Sequence, residues 1–162
     1  MAASNANARA GAARDANARE LVITRVFDAP REAVFKAWTD PAQAKQWMGP
    51  RGFTATHLEG DLGSGGAWRI CLRRDDDGEE LWQGGMYREV VEPERLVFTF
   101  AWDEEDGRRD HETLVTITFA EQRGRTTMTF RQAVFESVGD RDGHQGGWNS
   151  TFDRLAEHLA QG

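Results

Sequence analysis

The chain has 162 residues, a formal net charge of −7 and a single cysteine. This length suffices for one domain with a hydrophobic core, and the acidic charge argues against a nucleic-acid-binding surface, which needs clustered Lys and Arg. The lone cysteine excludes an internal disulfide framework, and no apolar run approaches the about 20 residues of a membrane-spanning helix. We therefore expect a soluble, cytoplasmic protein that binds neither nucleic acid nor membrane.

The N-terminal segment differs in composition from the rest. Residues 1–18 consist mainly of Ala, Asn and Arg and contain almost no large apolar side chains, which is typical of a disordered tail. The segment lacks the apolar core of a secretory signal. We expect a tail over residues 1–18 and one domain over residues 19–162.

One strand and two short helices are predicted to open the domain. Residues 20–27 form the strand. Asp28 is placed to cap a helix that has Pro30 in its first turn. Asp40 is placed to cap a second helix, which Gly49-Pro50 ends.

Strand patterns dominate the chain after these helices. Apolar and polar residues alternate in six segments that turn residues separate. The segments cover residues 53–59, 67–73, 81–91, 96–102, 113–119 and 126–134. The fourth segment places Leu96, Phe98, Phe100 and Trp102 on one face, and Gly84-Gly85 in the third segment indicates a bulge or bend. We expect these segments to form an antiparallel meander.

A long helix is predicted at the C-terminus. Trp148, Phe152, Leu155 and Leu159 recur at helical spacing and form one apolar stripe. Each glycine inside a helix costs about 1 kcal/mol relative to Ala, and the segment before the stripe contains four: Gly139, Gly143, Gly146 and Gly147. Either the helix begins near Gly146, or the small residues leave space between the helix and the sheet.

This order of elements and several local motifs resemble the START-like superfamily, also called SRPBCC. The motifs are TRVFDAP at 24–30, VFKAWTDP at 34–41, WMGP at 47–50, DL at 61–62, GGAW at 65–68, PERLV at 93–97, GW at 147–148 and LA at 155–156. Within the superfamily the chain is similar to the branch named for the activator of the heat-shock-protein-90 ATPase. The similarity spans about residues 20–160.

The resemblance implies an α+β helix-grip fold. In this fold a curved antiparallel sheet of about seven strands wraps around a long C-terminal helix, and two short helices follow the first strand. The resemblance also implies a deep, mostly apolar cavity between the sheet and the C-terminal helix. It implies no catalytic residues, because the family has no shared catalytic set.

The candidate pocket-lining residues are aromatic side chains from the strands and helices, together with a few polar groups. They are Trp47, His57, Trp68, Trp82, Met86, Phe100, Trp102, His111, Phe130, Arg141, His144 and Trp148. His57 alternates with Phe53 and Ala55, so we expect it to face inward. Arg141 and His144 are expected beside an acidic rim that the turns near 75–80 and 103–112 form.

Neither a metal site nor a cofactor is expected. His57, His111 and His144 lack the short ligand spacing of zinc sites. Cys71 lies within a strand and is expected to be a structural thiol rather than a reactive one.

Three functions are compatible with these observations. The leading hypothesis is a protein that binds a small apolar or aromatic molecule between sheet and helix and has no catalytic centre. The second is a cyclase-, aromatase- or hydrolase-like enzyme that uses His57, His111, His144 or Glu112 as acid or base. The third is a co-chaperone that binds the heat-shock protein. An exposed edge strand could also pair with a second copy to form a homodimer.

Overall fold

A seven-stranded antiparallel sheet curls around one long helix. The computed structural model describes residues 18–62, 65–104 and 110–161, so the predicted tail lies outside the described residues except for Ala18. The elements in chain order are β1 (Leu21–Phe27), α1 (Arg31–Thr39), α2 (Pro41–Trp47), β2 (Phe53–Gly60), β3 (Ala67–Arg74), β4 (Glu80–Val91), β5 (Arg95–Trp102), β6 (Thr113–Gln122), β7 (Arg125–Ala133) and α3 (Val138–Gln161).

Strands β2 to β7 follow one another as a meander, as predicted, and β1 pairs with β7. Their spatial order is β1-β7-β6-β5-β4-β3-β2, and every neighbouring pair is antiparallel. The predicted α+β helix-grip fold is therefore confirmed. Strands β1 and β2 are the two edges of the sheet, and the homodimer stays a prediction. None of the helices in the described part of the chain is long and apolar enough to cross a membrane.

Helix α3 begins at Val138 and includes all four glycines of its first half. The interpretation that the helix starts near Gly146 is therefore wrong. A cap in the preceding turn explains the early start, because the Ser137 hydroxyl accepts a hydrogen bond from the Asp140 backbone N–H at 3.1 Å. The glycines consequently lie on a formed helix, where they reduce its width.

Two arginines hold α3 against the rest of the domain. Arg25 of β1 donates to the Asp153 carboxylate at 2.8 Å. Arg154 of α3 donates to the carbonyl oxygens of Gly49 at 2.8 Å and Phe53 at 3.1 Å. These contacts tie the helix to β1 and to the start of β2, which are the two edges of the sheet.

A cluster of aromatic rings fills the space beside the middle of α3. Trp38 and Trp47 from the two short helices meet Phe130 of β7 and Trp148 and Phe152 of α3. The ring centroids of Phe130 and Trp148 lie 4.6 Å apart, and those of Trp38 and Trp47 lie 4.8 Å apart. This part of the space between sheet and helix is closely packed.

One of the two predicted helix caps needs correction, and the other is confirmed. Pro30, not Asp28, occupies the N-cap position of α1 and makes no side-chain cap, while Asp28 lies 3.8 Å from Arg125. The Asp40 carboxylate caps α2 by accepting from the Ala42 N–H at 3.1 Å, as predicted.

The bulge in β4 also differs from its predicted place. It lies between Tyr87 and Glu89 rather than at Gly84-Gly85. Glycine is nevertheless required at position 85, because a Cβ there would lie 1.8 Å from the Thr99 carbonyl oxygen.

Candidate functional site

A cavity of about 230 Å³ lies between the first half of α3 and the inner faces of β3, β4 and β5. Gly143 and Gly147 line its helix side, and Leu72, Leu81 and Phe100 line its sheet side. A Cβ built on either glycine would meet no other atom within 4 Å. This space lies beside the glycine-rich segment of the helix, where the aromatic cluster ends.

A smaller lobe of about 50 Å³ extends toward α1 and α2. Trp38, Trp68 and Tyr87 contribute to its wall. Four side chains line both spaces, which are therefore adjacent. These shared residues are Met48, Gln83, Phe100 and Trp148.

Most of the indole N–H groups around the two lobes have acceptors. The Trp68 N–H donates to the Thr99 carbonyl at 3.0 Å. The Trp148 N–H donates to the Gln132 side-chain oxygen at 2.8 Å. Such pairing is expected, because a buried polar group without a partner destabilises the folded state.

Two of the buried donors that line the smaller lobe lack this pairing. The Gln83 side-chain nitrogen and the Trp38 indole nitrogen have no hydrogen-bond partner among residues 18–62, 65–104 and 110–161. Gln83 is 4% exposed and Trp38 is 7% exposed, and both line the smaller lobe. The smaller lobe is thus bordered by two donors that the described part of the protein does not satisfy.

His144 lies at the opposite end of the larger lobe and is hydrogen-bonded to Trp102. Its Nε2 accepts from the Trp102 indole N–H at 2.9 Å, so the neutral ring carries its proton on Nδ1. Burial lowers the pKa of His144, and the charge of Asp140 opposes this shift in part. We therefore regard His144 as a neutral side chain that positions Trp102.

A third cavity, of about 140 Å³, lies beyond this histidine. Its lining includes His111, His144, Asp110, Glu136 and Asp140. Of the two turns predicted to form an acidic rim, the one at 103–112 contributes Asp110 and His111 to this lining, and the one at 75–80 contributes no residue. Residues 105–109 lie outside the described range.

The Nε2 atoms of both histidines in this third cavity are already bonded to the protein. His111 Nε2 lies 2.6 Å from the Val134 carbonyl oxygen and therefore carries the hydrogen. His144 Nε2 accepts from Trp102. The two histidines share a cavity, but only their Nδ1 atoms could act on a substrate.

Three candidate residues lie on the outer face of the sheet. His57, Trp82 and Met86 line neither lobe. His57 faces outward because the register shifts between Ala55 and His57, so that Leu58 lines the smaller lobe instead. The inward orientation predicted from simple alternation is thus wrong for His57.

The outer-face residues contact one another. The ring of His57 lies 5.4 Å from that of Trp82, and the Arg69 guanidinium lies 4.8 Å from the Trp82 ring. Arg69 also bonds Asp103. These contacts with His57 and Arg69 explain the position of the Trp82 ring without a bound ligand.

The remaining candidates divide between the cavities and the core. Trp68, Phe100, Trp102, His144 and Trp148 line at least one of the two lobes. Trp47 and Phe130 are fully buried in the aromatic cluster and line neither lobe. Arg141 also lies outside both lobes, and its guanidinium is 2.7 Å from Asp142.

Gln83 is a polar residue of the cavity wall that sequence reasoning missed. Gln83 follows Leu81 and precedes Gly85 and Tyr87 on the inward face of β4. A polar side chain at an inward position of an alternating strand is the signal that could have identified it. Within the described parts of the chain, no group of three or more His, Cys, Asp or Glu side chains could hold a metal ion. Cys71 is buried, and its Sγ lies 3.8 Å from the Glu80 carboxylate.

Comparisons with known proteins agree with the geometry. The model of the family described as Activator of Hsp90 ATPase homolog 1-like protein matches residues 28–160. A crystal structure from Chromobacterium violaceum is 27% identical, with a TM-score of 0.80 over 87% of this chain and 96% of that one. The AHSA1 protein from Silicibacter pomeroyi is 26% identical, with a TM-score of 0.81 over 88% and 98%.

A solution structure from Arthrobacter aurescens shares the fold at lower identity. It is 24% identical, with a TM-score of 0.80 over 90% of this chain and 88% of that one. No curated protein sequence matches the chain significantly.

Proposed function

The chain belongs to the family of Activator of Hsp90 ATPase homolog 1-like proteins, and from this premise we propose that it binds a small, mostly apolar molecule between its sheet and helix α3. The observation that supports this proposal is the cavity of about 230 Å³ beside Gly143 and Gly147. Leu72, Leu81 and Phe100 give it an apolar wall. Ligand sites are typically cavities with such a wall and a few polar groups.

The size of the cavity restricts the ligand. Sites for drug-sized molecules usually enclose about 300–1,000 Å³, and the larger lobe is below that range. A molecule with one aromatic ring and a short substituent fits this space better than a fused-ring compound. The substituent can extend toward the smaller lobe past Gln83 and Phe100.

Filling the cavity from the helix tests the proposal. Gly147→Leu would place a side chain in the larger lobe, because Gly147 lines it and has open space beside its Cα. Gly146→Leu is the matched control, since Gly146 is exposed, lines neither lobe and would also meet no atom. Both changes raise helix propensity by a similar amount.

The readout is a titration of ¹⁵N-labelled protein with toluene, acetophenone and α-methylstyrene, followed by NMR. We expect saturable shifts of the Trp102 and Trp148 indole signals in the wild type and in Gly146→Leu. In Gly147→Leu these shifts should be lost. If none of the three probes produces saturable shifts in the wild type, the proposal is overturned.

The co-chaperone hypothesis makes a different prediction. The family description names an activity toward the Hsp90 ATPase, and a purified Hsp90 middle domain is the direct probe. We expect no heat of binding in isothermal titration calorimetry. A saturable interaction that Gly147→Leu leaves unchanged would favour a protein-interaction module over a ligand-binding one.

A further inference from the structure

We infer that the ligand carries an uncharged hydrogen-bond acceptor, such as a ketone or ester carbonyl. The Gln83 side-chain amide donates a hydrogen bond to this acceptor where the two lobes meet. This inference rests on the proposed ligand-binding function and adds the chemical class of the ligand.

Gln83 is the polar side chain that both lobes share. Of the four residues that line both, Met48, Phe100 and Trp148 present apolar atoms or an indole that is already bonded. The Gln83 nitrogen is buried and has no acceptor within the described residues. Nearly all buried polar groups in native proteins have a partner, so a donor left open at a cavity wall indicates an acceptor on the molecule that enters.

Further donors border the smaller lobe. The Trp38 indole N–H can only donate, and it too lacks an acceptor among the described residues. The Tyr87 hydroxyl belongs to the same wall, and burial raises the pKa of Tyr87 to about 12, so it stays protonated at neutral pH. A wall that carries a free amide, a free indole and a phenol favours an oxygen acceptor over a donor.

The charges around the lobes exclude an anionic acceptor. Neither lobe has a Lys or Arg side chain in its described lining, and Glu59 is the charged residue at the smaller one. A carboxylate or phosphate would lose its hydration there without gaining an opposite charge. The acceptor is therefore neutral.

Two probes of nearly the same shape isolate this interaction. Acetophenone and α-methylstyrene differ by a carbonyl oxygen in place of a methylene group. Their affinity ratio therefore depends on hydrogen bonding to that oxygen and on the difference in hydration between the two free compounds. The hydration difference is the same for every variant of the protein. The variant Gln83→Met removes the amide donor at similar length. We expect the preference for acetophenone, relative to α-methylstyrene, to fall about fivefold or more in this variant.

A second polar residue of the same cavity supplies the control. Thr151 lines the larger lobe, but its hydroxyl already donates to the Gly147 carbonyl at 2.8 Å. Thr151→Val should therefore leave the preference unchanged. Trp38→Phe removes the second free donor and should lower the preference independently, which keeps the inference testable if Gln83→Met does not fold.

The indole signals of the wild type give a direct readout. Acetophenone, but not α-methylstyrene, should move the Trp38 N–H proton downfield. The Trp47 N–H already donates to the Ala37 carbonyl at 3.0 Å and lines neither lobe, so it should not move with either probe. Benzoate should bind more weakly than acetophenone.

The outcomes separate the two proposals. If both probes bind and Gln83→Met and Trp38→Phe leave their affinity ratio unchanged, the acceptor inference is overturned while ligand binding stands. Tighter binding of benzoate than of acetophenone would also overturn it. If neither probe binds the wild type, the proposed function itself fails.

Discussion

The stability of the protein should respond differently to the same substitution at two buried glutamines on the inner face of the sheet. Gln132 of β7 donates to the Thr113 hydroxyl at 2.8 Å and accepts from the Trp148 indole at 2.8 Å. Gln83 of β4 is almost as buried, but its amide nitrogen has no partner in the described parts of the chain. Methionine matches glutamine in length and removes the amide from both positions.

The structure sets the expected magnitudes. Gln132→Met deletes two hydrogen bonds, each with a net contribution of about 1 kcal/mol, and leaves the Trp148 N–H buried without an acceptor. We expect the free energy of unfolding to fall by about 2–4 kcal/mol. Gln83→Met removes a donor that is already unpaired, so its effect should lie between no change and a gain of about 2 kcal/mol.

Urea denaturation followed by far-UV circular dichroism, without ligand, measures both changes. The slope of free energy against urea should stay the same in the three proteins, so that the midpoint reports stability alone. A loss in Gln83→Met as large as that in Gln132→Met would mean that the Gln83 amide is hydrogen-bonded within the protein. That result would refute its assignment as an open donor.

Two other predictions concern the tryptophans and the buried histidine. Trp47→Phe should lower the free energy of unfolding by about 1–2 kcal/mol more than Trp38→Phe does, because it also leaves the Ala37 carbonyl without its donor. Equal losses of stability in urea denaturation would contradict this. Burial lowers the pKa of His144 in the folded protein, so the unfolded chain, with a pKa of about 6.5, takes up the proton first. The contribution of neutral His144 to stability is full above that pH, and it is lost as the pH falls toward the pKa of His144 in the folded protein. Wild type should therefore lose more stability than His144→Gln between pH 7.5 and 5.5, and parallel losses would rule this out.

Local patterns were sufficient for the order and type of the elements. Alternation at period two identified six consecutive strands, and the spacing of Trp148, Phe152 and Leu155 identified α3, because each pattern depends on neighbours within the same segment. The motifs that resemble the family then indicated how these elements assemble. Their match covered the whole sheet and both short helices.

Tertiary contacts decided which side chains reach the cavity. One register shift after Ala55 turned His57 outward and brought Leu58 to the wall, and alternation alone cannot reveal such a shift. The composition of α3 likewise allowed either a late start or an open space. The Ser137 cap accompanies the early start, and Gly143 and Gly147 on the formed helix have open space beside them.

The chain's own residues thus determined a curved sheet, a long helix and an abundance of aromatic side chains. Which indole or amide finds a partner depends on how separate helices and strands pack against one another. Trp47 meets the Ala37 carbonyl, whereas Trp38, nine positions earlier, meets no acceptor in the described structure. Hydrogen bonding is short-ranged and directional, so only the packed fold could distinguish a structural tryptophan from a wall of the candidate site.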